Sequence, residues 1–231
     1  MEELNFDEGV VILIDKPYTW TSFDAVRKIR NSIRIKKIGH AGTLDPLATG
    51  LLIMCTGKFT KQIDKIQNAD KEYICEMTLG KTTPSFDLET EVYAEYPFEH
   101  ITKELVLKTF QDYTGPIAKV PPMFSALKVD GQRLYKLARK GENIELKSRD
   151  IVIHEFELLS FDLPIVSFRV SCSKGTYVRS LVRDLALSMD SGAYMSALRR
   201  TKIGDYNVND AIQIEEFVAI YGKKRDQEQA S

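Results

Sequence analysis

The sequence predicts an α+β protein: a mixed, mostly antiparallel central sheet flanked by helices and loops. Three observations predict it. Strand-like stretches outnumber helical ones. Two strands often precede one helix, so the strict βαβ alternation of a doubly wound fold is absent. No Gly/Ser/Pro linker, internal repeat or low-complexity segment divides the 231 residues. Residues 1–231 are therefore expected to form a single domain with a sizeable core.

The elements follow in order. GVVILIDKP, residues 9–17, is a buried strand ended by Pro17. Thr21 starts a helix, because Thr21-x-x-Asp24 has capping-box spacing. Phe23, Val26, Ile29 and Ile33 are its expected inward face, and its outward face is basic. Glycines and Pro46 break regular structure over GHAGTLDPLATG, residues 39–50. GLLIMCTG resumes as a strand or short buried segment, and KFTKQIDKI is helical. KEYICEMTLG, 71–80, alternates Tyr73, Cys75, Met77 and Leu79 against Ile74, Glu76 and Thr78, so it is a strand. KTTPSFDLET is a polar loop, and ITKELVLKTFQDYTG is a helix ended near Gly115. Asp130-Gly131 marks a turn before a short basic helix stopped by Gly141. Residues 144–161 form one long or two joined strands, and PIVSFRVSCSKG another. TYVRSLVRDLALSM is an amphipathic helix. SALRRTKIGDYNV is a last strand or loop, a short helix follows from Asn209, and the tail GKKRDQEQAS is polar and frayed.

Composition narrows the class. The apolar runs are too short to span a bilayer, and the acidic start MEELNFDEG is no secretory signal, so a cytoplasmic protein is expected. Cys55, Cys75 and Cys172 form no CxxC pair and read as buried thiols. The net charge of −1 hides a polarised distribution. RKIRNSIRIKK, 27–37, carries six Lys/Arg, and no acid occurs from Ala25 to Leu44. Other basic groups recur around 128–140 and 174–202, a pattern suited to nucleic acid.

Most hydrolase chemistry has no support. There is no GxxxxGK[ST], no GxGxxG after a strand and no GxSxG elbow. His40, His100 and His154 are scattered without metal or triad spacing. One carboxylate stands out: Asp45, in the glycine-flanked loop. A lone aspartate there can cap a turn, accept a phosphoryl group, or act as a nucleophile toward carbon. The second needs Mg²⁺ held by further acids, and none lies nearby. A retaining glycosidase would want a second carboxylate.

Six motifs then carry a resemblance. GHAGTLDPLATGLL closely resembles the central motif of the TruB family of tRNA pseudouridine synthases. DKPYTWTS is similar to that family's KPxGxTS, and KEYICEMTLG to its KxYxxxxxLG strand. VPPMFSALKVDGQRLYKLARKG resembles its RNA-gripping insertion, here about 115–149. CSKGTYVRSLVRDLA and GAYMSALRRTKIG resemble its last two motifs. The match runs in order over residues 9–206 and implies the pseudouridine synthase fold. It implies isomerisation of uridine, conventionally position 55, in the T stem-loop of tRNA, without cofactor or metal. By the same resemblance Asp45 is the nucleophile, Tyr73 packs on the target base, and Arg179 pairs with the catalytic aspartate. His40 fills the space left by the extruded nucleotide, and Tyr177 and Leu198 line the base pocket. Composition alone lifts none of these above ordinary core or surface residues; the motifs do. The chain departs from the family pattern at Thr19, Pro84, Thr90, Phe124 and Tyr194. A separate C-terminal PUA-like domain, which many bacterial members carry, is not expected here. No protein partner is implied, and a monomer is expected.

The chemistry agrees with one acid. The uracil–ribose C–N bond must break, the base must rotate, and a C–C bond must form at C5. Substrate and product are isomers, so no water intervenes. One carboxylate can hold the opened intermediate through the sugar C1′ or the base C6. Two alternatives stand beside this: an RNA-binding or RNA-folding module with secondary or lost catalysis, and an aspartyl-phosphate enzyme.

Overall fold

The computed structural model describes residues 4–120, 122, 124–125, 128–129, 131–138, 140–141, 144 and 146–223. The expected frayed tail lies outside them from 224 onward, and the insertion expected over 115–149 lies partly outside them. The chain divides into two compact units, Met1–Ala69 with Arg199–Ser231, and Asp70–Leu198.

The first unit begins with strand β1 (Val11–Lys16), which ends before Pro17, a residue with no amide for a ladder. Helix α1 (Ser22–Ile33) starts in the expected capping box. Thr21 Oγ1 accepts from the Asp24 amide at 3.0 Å, and Asp24 Oδ2 accepts from the Thr21 amide at 3.3 Å. Its buried face corrects one expectation: Ser22, Ala25, Ile29 and Ile33 are buried, whereas Phe23 is 65% exposed. Steps of three and four keep residues 22, 25, 29 and 33 on one stripe, and Phe23 lies about 100° round from Ser22. Val26 is partly buried against the same core.

Strand β2 (Ile38–His40) pairs antiparallel with β3 (Ala48–Thr56), which also pairs antiparallel with β1. β3 is buried on both faces, which explains its unbroken apolar run. Leu52 and Met54 join Ile12, Ile14, Ala25 and Ile29 in one core. Leu51, Ile53 and Cys55 join Ala41, Ile66 and Ile203 in another. A 3-10 turn, Gly57–Gln62, leads into α2 (Ile63–Asn68).

The second unit opens with β4 (Lys71–Leu79), whose alternation is as predicted: Tyr73, Cys75, Met77 and Leu79 are all buried. The short strands β5 (Lys81–Thr82) and β6 (Ala94–Glu95) pair with each other. Helix α3 (Lys103–Tyr113) is capped by Thr102, and β7 (Gly115–Lys119) follows at once. Strands β8 (Lys128–Val129) and β9 (Gln132–Arg133) form a hairpin whose turn includes Gly131 at φ +80°, then α4 (Leu134–Ala138) follows. The long β10 (Arg149–Asp162) and β11 (Ile165–Cys172) pair antiparallel, as do β11 with β4 and β10 with β7. Helix α5 (Val178–Ser188) precedes β12 (Ala193–Ile203). Phe110 of α3 stacks on Phe156 of β10 at 4.6 Å between centroids, with Phe168 of β11 tilted against both.

The division between units falls within β12, and residues after it return to the first. β13 (Tyr206–Asn207) pairs with the end of β12, and β14 (Ile212–Gln213) pairs parallel with β1. Helix α6 (Ile214–Tyr221) sets Phe217 into the core beneath α1. It starts at Ile214, not at Asn209 as expected. The intervening residues form a 3-10 turn, where Asn207 Oδ1 accepts from the Asn209 amide, and then the β14 pairing. Cys55, Cys75 and Cys172 are buried free thiols, as the sequence suggests.

Candidate active site

In the first unit, the loop holding Asp45 is pinned on both sides of that residue. The Ala41 amide donates to the Ile53 carbonyl at 2.8 Å. The Gly42 carbonyl accepts from Arg200 Nη2 at 3.2 Å. Ser22 Oγ accepts from the Leu44 amide at 2.9 Å and donates to the Leu44 carbonyl at 3.2 Å. The Pro46 carbonyl accepts from Lys16 Nζ at 3.3 Å, and the Ala48 amide closes the turn on the Asp45 carbonyl at 3.1 Å. Asp45 itself is half-buried. The glycines serve this arrangement: Gly50, at φ +98°, has no room for a Cβ, which would collide with the Arg200 carbonyl oxygen.

Two buried cations sit with this loop. Lys16 is fully buried at the end of β1 and donates also to the carbonyls of Pro17 and Trp20, at 3.0 and 2.6 Å. Burial lowers its ammonium to about 8; the Asp45 carboxylate acts the other way, and the Arg200 guanidinium adds to the lowering. Arg200, 1% exposed, also donates from Nε to the Leu51 carbonyl at 2.8 Å, so one guanidinium spans the loop's entry and exit. Its neighbour Arg199 instead grips Asp15 with two bonds, 2.9 and 2.7 Å. His40, half-buried at the end of β2, has a buried Nδ1 with no hydrogen-bond partner among the described residues. Burial above all, with the Arg200 charge in support, pushes its imidazole below the ordinary histidine range, so the ring is neutral at pH 7.

In the second unit, Arg179 lies in the first turn of α5, and Tyr177 is that helix's N-cap residue. Arg179 is 4% exposed. Its Nε stands 3.5 Å from Asp87 Oδ2, Nη1 donates to the Ser85 carbonyl at 3.1 Å, and Nη2 donates to the Phe124 carbonyl at 2.7 Å. Loop 83–90 is built to hold these acceptors. Thr83 Oγ1 donates to the Asp87 carbonyl, Asp87 Oδ1 accepts from the Glu89 amide, and the Met195 amide donates to the Phe86 carbonyl. Tyr73 on β4 and Leu198 on β12 are buried in this unit, and Tyr177 is half-buried. The predicted residues thus fall in two sets: Asp45 and His40 in the first unit, and Tyr73, Tyr177, Arg179 and Leu198 in the second.

The departures from the family pattern have structural consequences. Thr19 occupies φ +70°, a region that favours the glycine usual there. Thr90 receives the Ser85 amide at 3.0 Å and meets Ser85 Oγ at 2.8 Å, so a loop with a threonine in place of glycine gains its own brace. Phe124 lacks a hydroxyl, yet its contact to Arg179 is made by the backbone carbonyl. Pro84 is exposed and Tyr194 half-buried. Sequence reasoning assigned no role to Lys16, Arg200, Ser22 or Asp87. Lys16, Ser22 and Arg200 sit inside the quoted motifs and Asp87 in the polar loop KTTPSFDLET, but only Lys16, at the end of an apolar strand, stands out from its neighbours in the sequence.

The fold is that of the pseudouridine synthases. A chain of a Cbf5-Nop10-Gar1 complex superposes with a TM-score of 0.72 at 28% identity, over 94% of this chain and 55% of that one. A chain of an H/ACA ribonucleoprotein bound to a substrate RNA containing 2′-deoxyuridine gives 0.69 at 26%, over 94% and 54%. This chain thus spans about half the length of those solved chains. The tRNA pseudouridine synthase B of Phocaeicola vulgatus is 54% identical over 220 residues, covering 93% of this chain and 94% of that protein. The protein of the same name from Flavobacterium johnsoniae is 54% identical over 217 residues, covering 91% and 95%. Residues 30–178 match the family described as TruB family pseudouridylate synthase (N terminal domain), and 179–231 match the tRNA pseudouridylate synthase B C-terminal domain. The chain belongs to the TruB family of pseudouridine synthases, which are isomerases.

Proposed function

We propose that this chain isomerises uridine to pseudouridine in tRNA, at the T-arm uridine conventionally numbered 55, with Asp45 as nucleophile. The observation that carries the reading is the pinned loop: one carboxylate held by neighbouring backbone anchors, with the Lys16 ammonium and the Arg200 guanidinium close by. A rigid loop of this kind fixes a nucleophile before substrate arrives, which removes reorganisation from the barrier. The names of the relatives, tRNA pseudouridine synthase B, support tRNA as the substrate.

The target nucleotide is flipped out of its stack, at a cost of a few kcal/mol. Asp45 attacks the sugar C1′ or the base C6, the N1–C1′ bond breaks, and the uracil turns to present C5 to C1′. The C5–C1′ bond forms, the C5 proton leaves, N1 gains a proton, and the carboxylate is released. No atom is added and no electron leaves, so the reaction asks for no cofactor. By the family resemblance, Tyr73 offers its ring to the flipped base and Arg179 keeps the Asp45 carboxylate ionised. His40, neutral at pH 7, takes the place of the extruded nucleotide, and Tyr177 and Leu198 line the pocket. Residues 1–231 work as one catalytic domain with the insertion about 115–149 gripping RNA, as a monomer in the cytoplasm. No helix among the described residues is long and apolar enough to cross a membrane.

The test is to incubate unmodified tRNA transcripts with the protein and map pseudouridine at single-nucleotide resolution. Product confined to the T-loop uridine is expected. Product at other sites only, or RNA binding with no product, would overturn the assignment.

A further inference from the structure

The first unit carries a groove that the isomerisation chemistry does not use. It has a volume of about 800 Å³ and is lined by Thr19, Trp20, the outward side of α1 and the end of α6. Its charge is one-sided. Lys28, Arg34 and Lys223 line it as exposed cations, and the acid among its lining residues, Asp24, is paired with Arg27 at 2.9 Å. The Lys223 amide donates to the Ser32 carbonyl at 2.9 Å, fixing the end of α6 to α1. The groove also adjoins the Asp45 loop: Lys16 Nζ bonds both the Trp20 carbonyl on the groove wall and the Pro46 carbonyl next to Asp45.

We propose that this groove carries the sugar–phosphate backbone of the substrate RNA on the strand beside the target uridine. The proposal rests on the reading of the chain as an RNA isomerase. Three features favour an extended polyanion over a small anion. The cations stand apart along the C-terminal half of α1 rather than on one residue: Lys28 lies on the helix, Arg34 is its C-cap six residues or about 9 Å further on, and Lys223 is fixed beside Ser32 by its amide. The groove, at about 800 Å³, has room for more than one phosphate. Trp20, partly buried against the core of the unit, lines the groove and offers an aromatic contact to a sugar or base. Lys28, Arg34 and Lys223 each meet a phosphate, and a strand leaving the groove at Trp20 arrives at the Asp45 loop.

The test is filter binding of a tRNA transcript between 50 and 200 mM salt, with wild type and the triple variant Lys28→Gln, Arg34→Gln, Lys223→Gln. Losing three single-strand phosphate contacts lowers the slope of log K against log salt by about 2. Affinity at 100 mM salt falls about 10-fold or more, and kcat/KM falls with it. The charge-keeping triple Lys28→Arg, Arg34→Lys, Lys223→Arg retains the wild-type slope. A neutral triple with wild-type slope and affinity would overturn the proposal, as would a charge-keeping triple that loses as much as the neutral one. If the neutral triple fails to fold by circular dichroism, Lys28→Gln alone is read: a slope reduced by about 0.7 supports the groove, and an unchanged slope overturns it. Failure of the underlying reading is distinguishable, because wild type would then form no pseudouridine whatever the groove variants bind.

Discussion

Arg179 and Asp87 form a buried ion pair, Nε to Oδ2 at 3.5 Å, with side chains only 4% and 3% exposed. The guanidinium also donates to the carbonyls of Ser85 and Phe124. A charge held this deep depends on its partner, because removing one member strands the other without water. Asp87→Ala is therefore expected to destabilise the protein by about 3 to 5 kcal/mol in urea unfolding. Asp87→Asn costs less, since its amide oxygen still accepts from the Glu89 amide. Equal stability of Asp87→Ala and wild type would show that the pair is not holding Arg179.

Ser22 makes two buried hydrogen bonds to Leu44, the residue before Asp45. Ser22→Ala leaves the Leu44 amide unsatisfied, at a cost of about 1 to 3 kcal/mol, and loosens the loop. A nucleophile misplaced by about 1 Å costs up to about 100-fold. The expected outcome is a fall in kcat of about 10- to 100-fold with KM for tRNA little changed. An unaltered kcat would show that the loop is held well enough without Leu44.

Lys16 titrates near 8 in the folded protein, against 10.5 in an ordinary setting. Between these values the unfolded chain binds more protons than the folded one, so the protonated lysine opposes folding. The opposition is full below pH 8 and relieved as pH rises toward 10.5. Wild type should therefore gain stability relative to Lys16→Met on going from pH 7 to pH 10, by roughly 2 to 3 kcal/mol. Urea unfolding of both proteins at the two pH values reads the difference. A difference that stays flat would place the lysine's titration outside this window.

Thr19 holds a β-branched side chain at φ +70°, where a Cβ crowds the backbone by about 1 to 2 kcal/mol. Glycine removes that crowding but adds freedom to the unfolded chain. Thr19→Gly should raise stability by about 0.5 to 1 kcal/mol in urea. A loss of stability would mean that the threonine makes contacts worth more than its strain.

Much of the fold was legible because its signals are local. The Thr21–Asp24 capping box, the alternation of β4 and the turn at Gly131 each depend on a few neighbouring residues. The errors arose where distant parts decide. Phe23 fits a helical repeat, but burial of α1 is set by β1, β3 and α6, which select the stripe through Ala25 and Ile29. The start of α6 was misjudged because pairing with β1 claims the residues before it. The same holds for the site. Asp45 stands out as a lone acid between glycines, whereas Lys16 and Arg200 are ordinary charges in the sequence. Their roles emerge only when Pro46, Gly42 and Leu51 are folded against them.

The central claim is that a single carboxylate, Asp45, carries the chemistry, and one comparison tests it most directly. Wild type and Asp45→Asn are incubated with the same tRNA transcript, pseudouridine is mapped, and binding is measured in parallel. The asparagine keeps the loop's shape and removes its charge. Pseudouridine from wild type, none from Asp45→Asn, and RNA binding within a few-fold is the predicted result. Pseudouridine formed by Asp45→Asn at the wild-type rate would contradict the account.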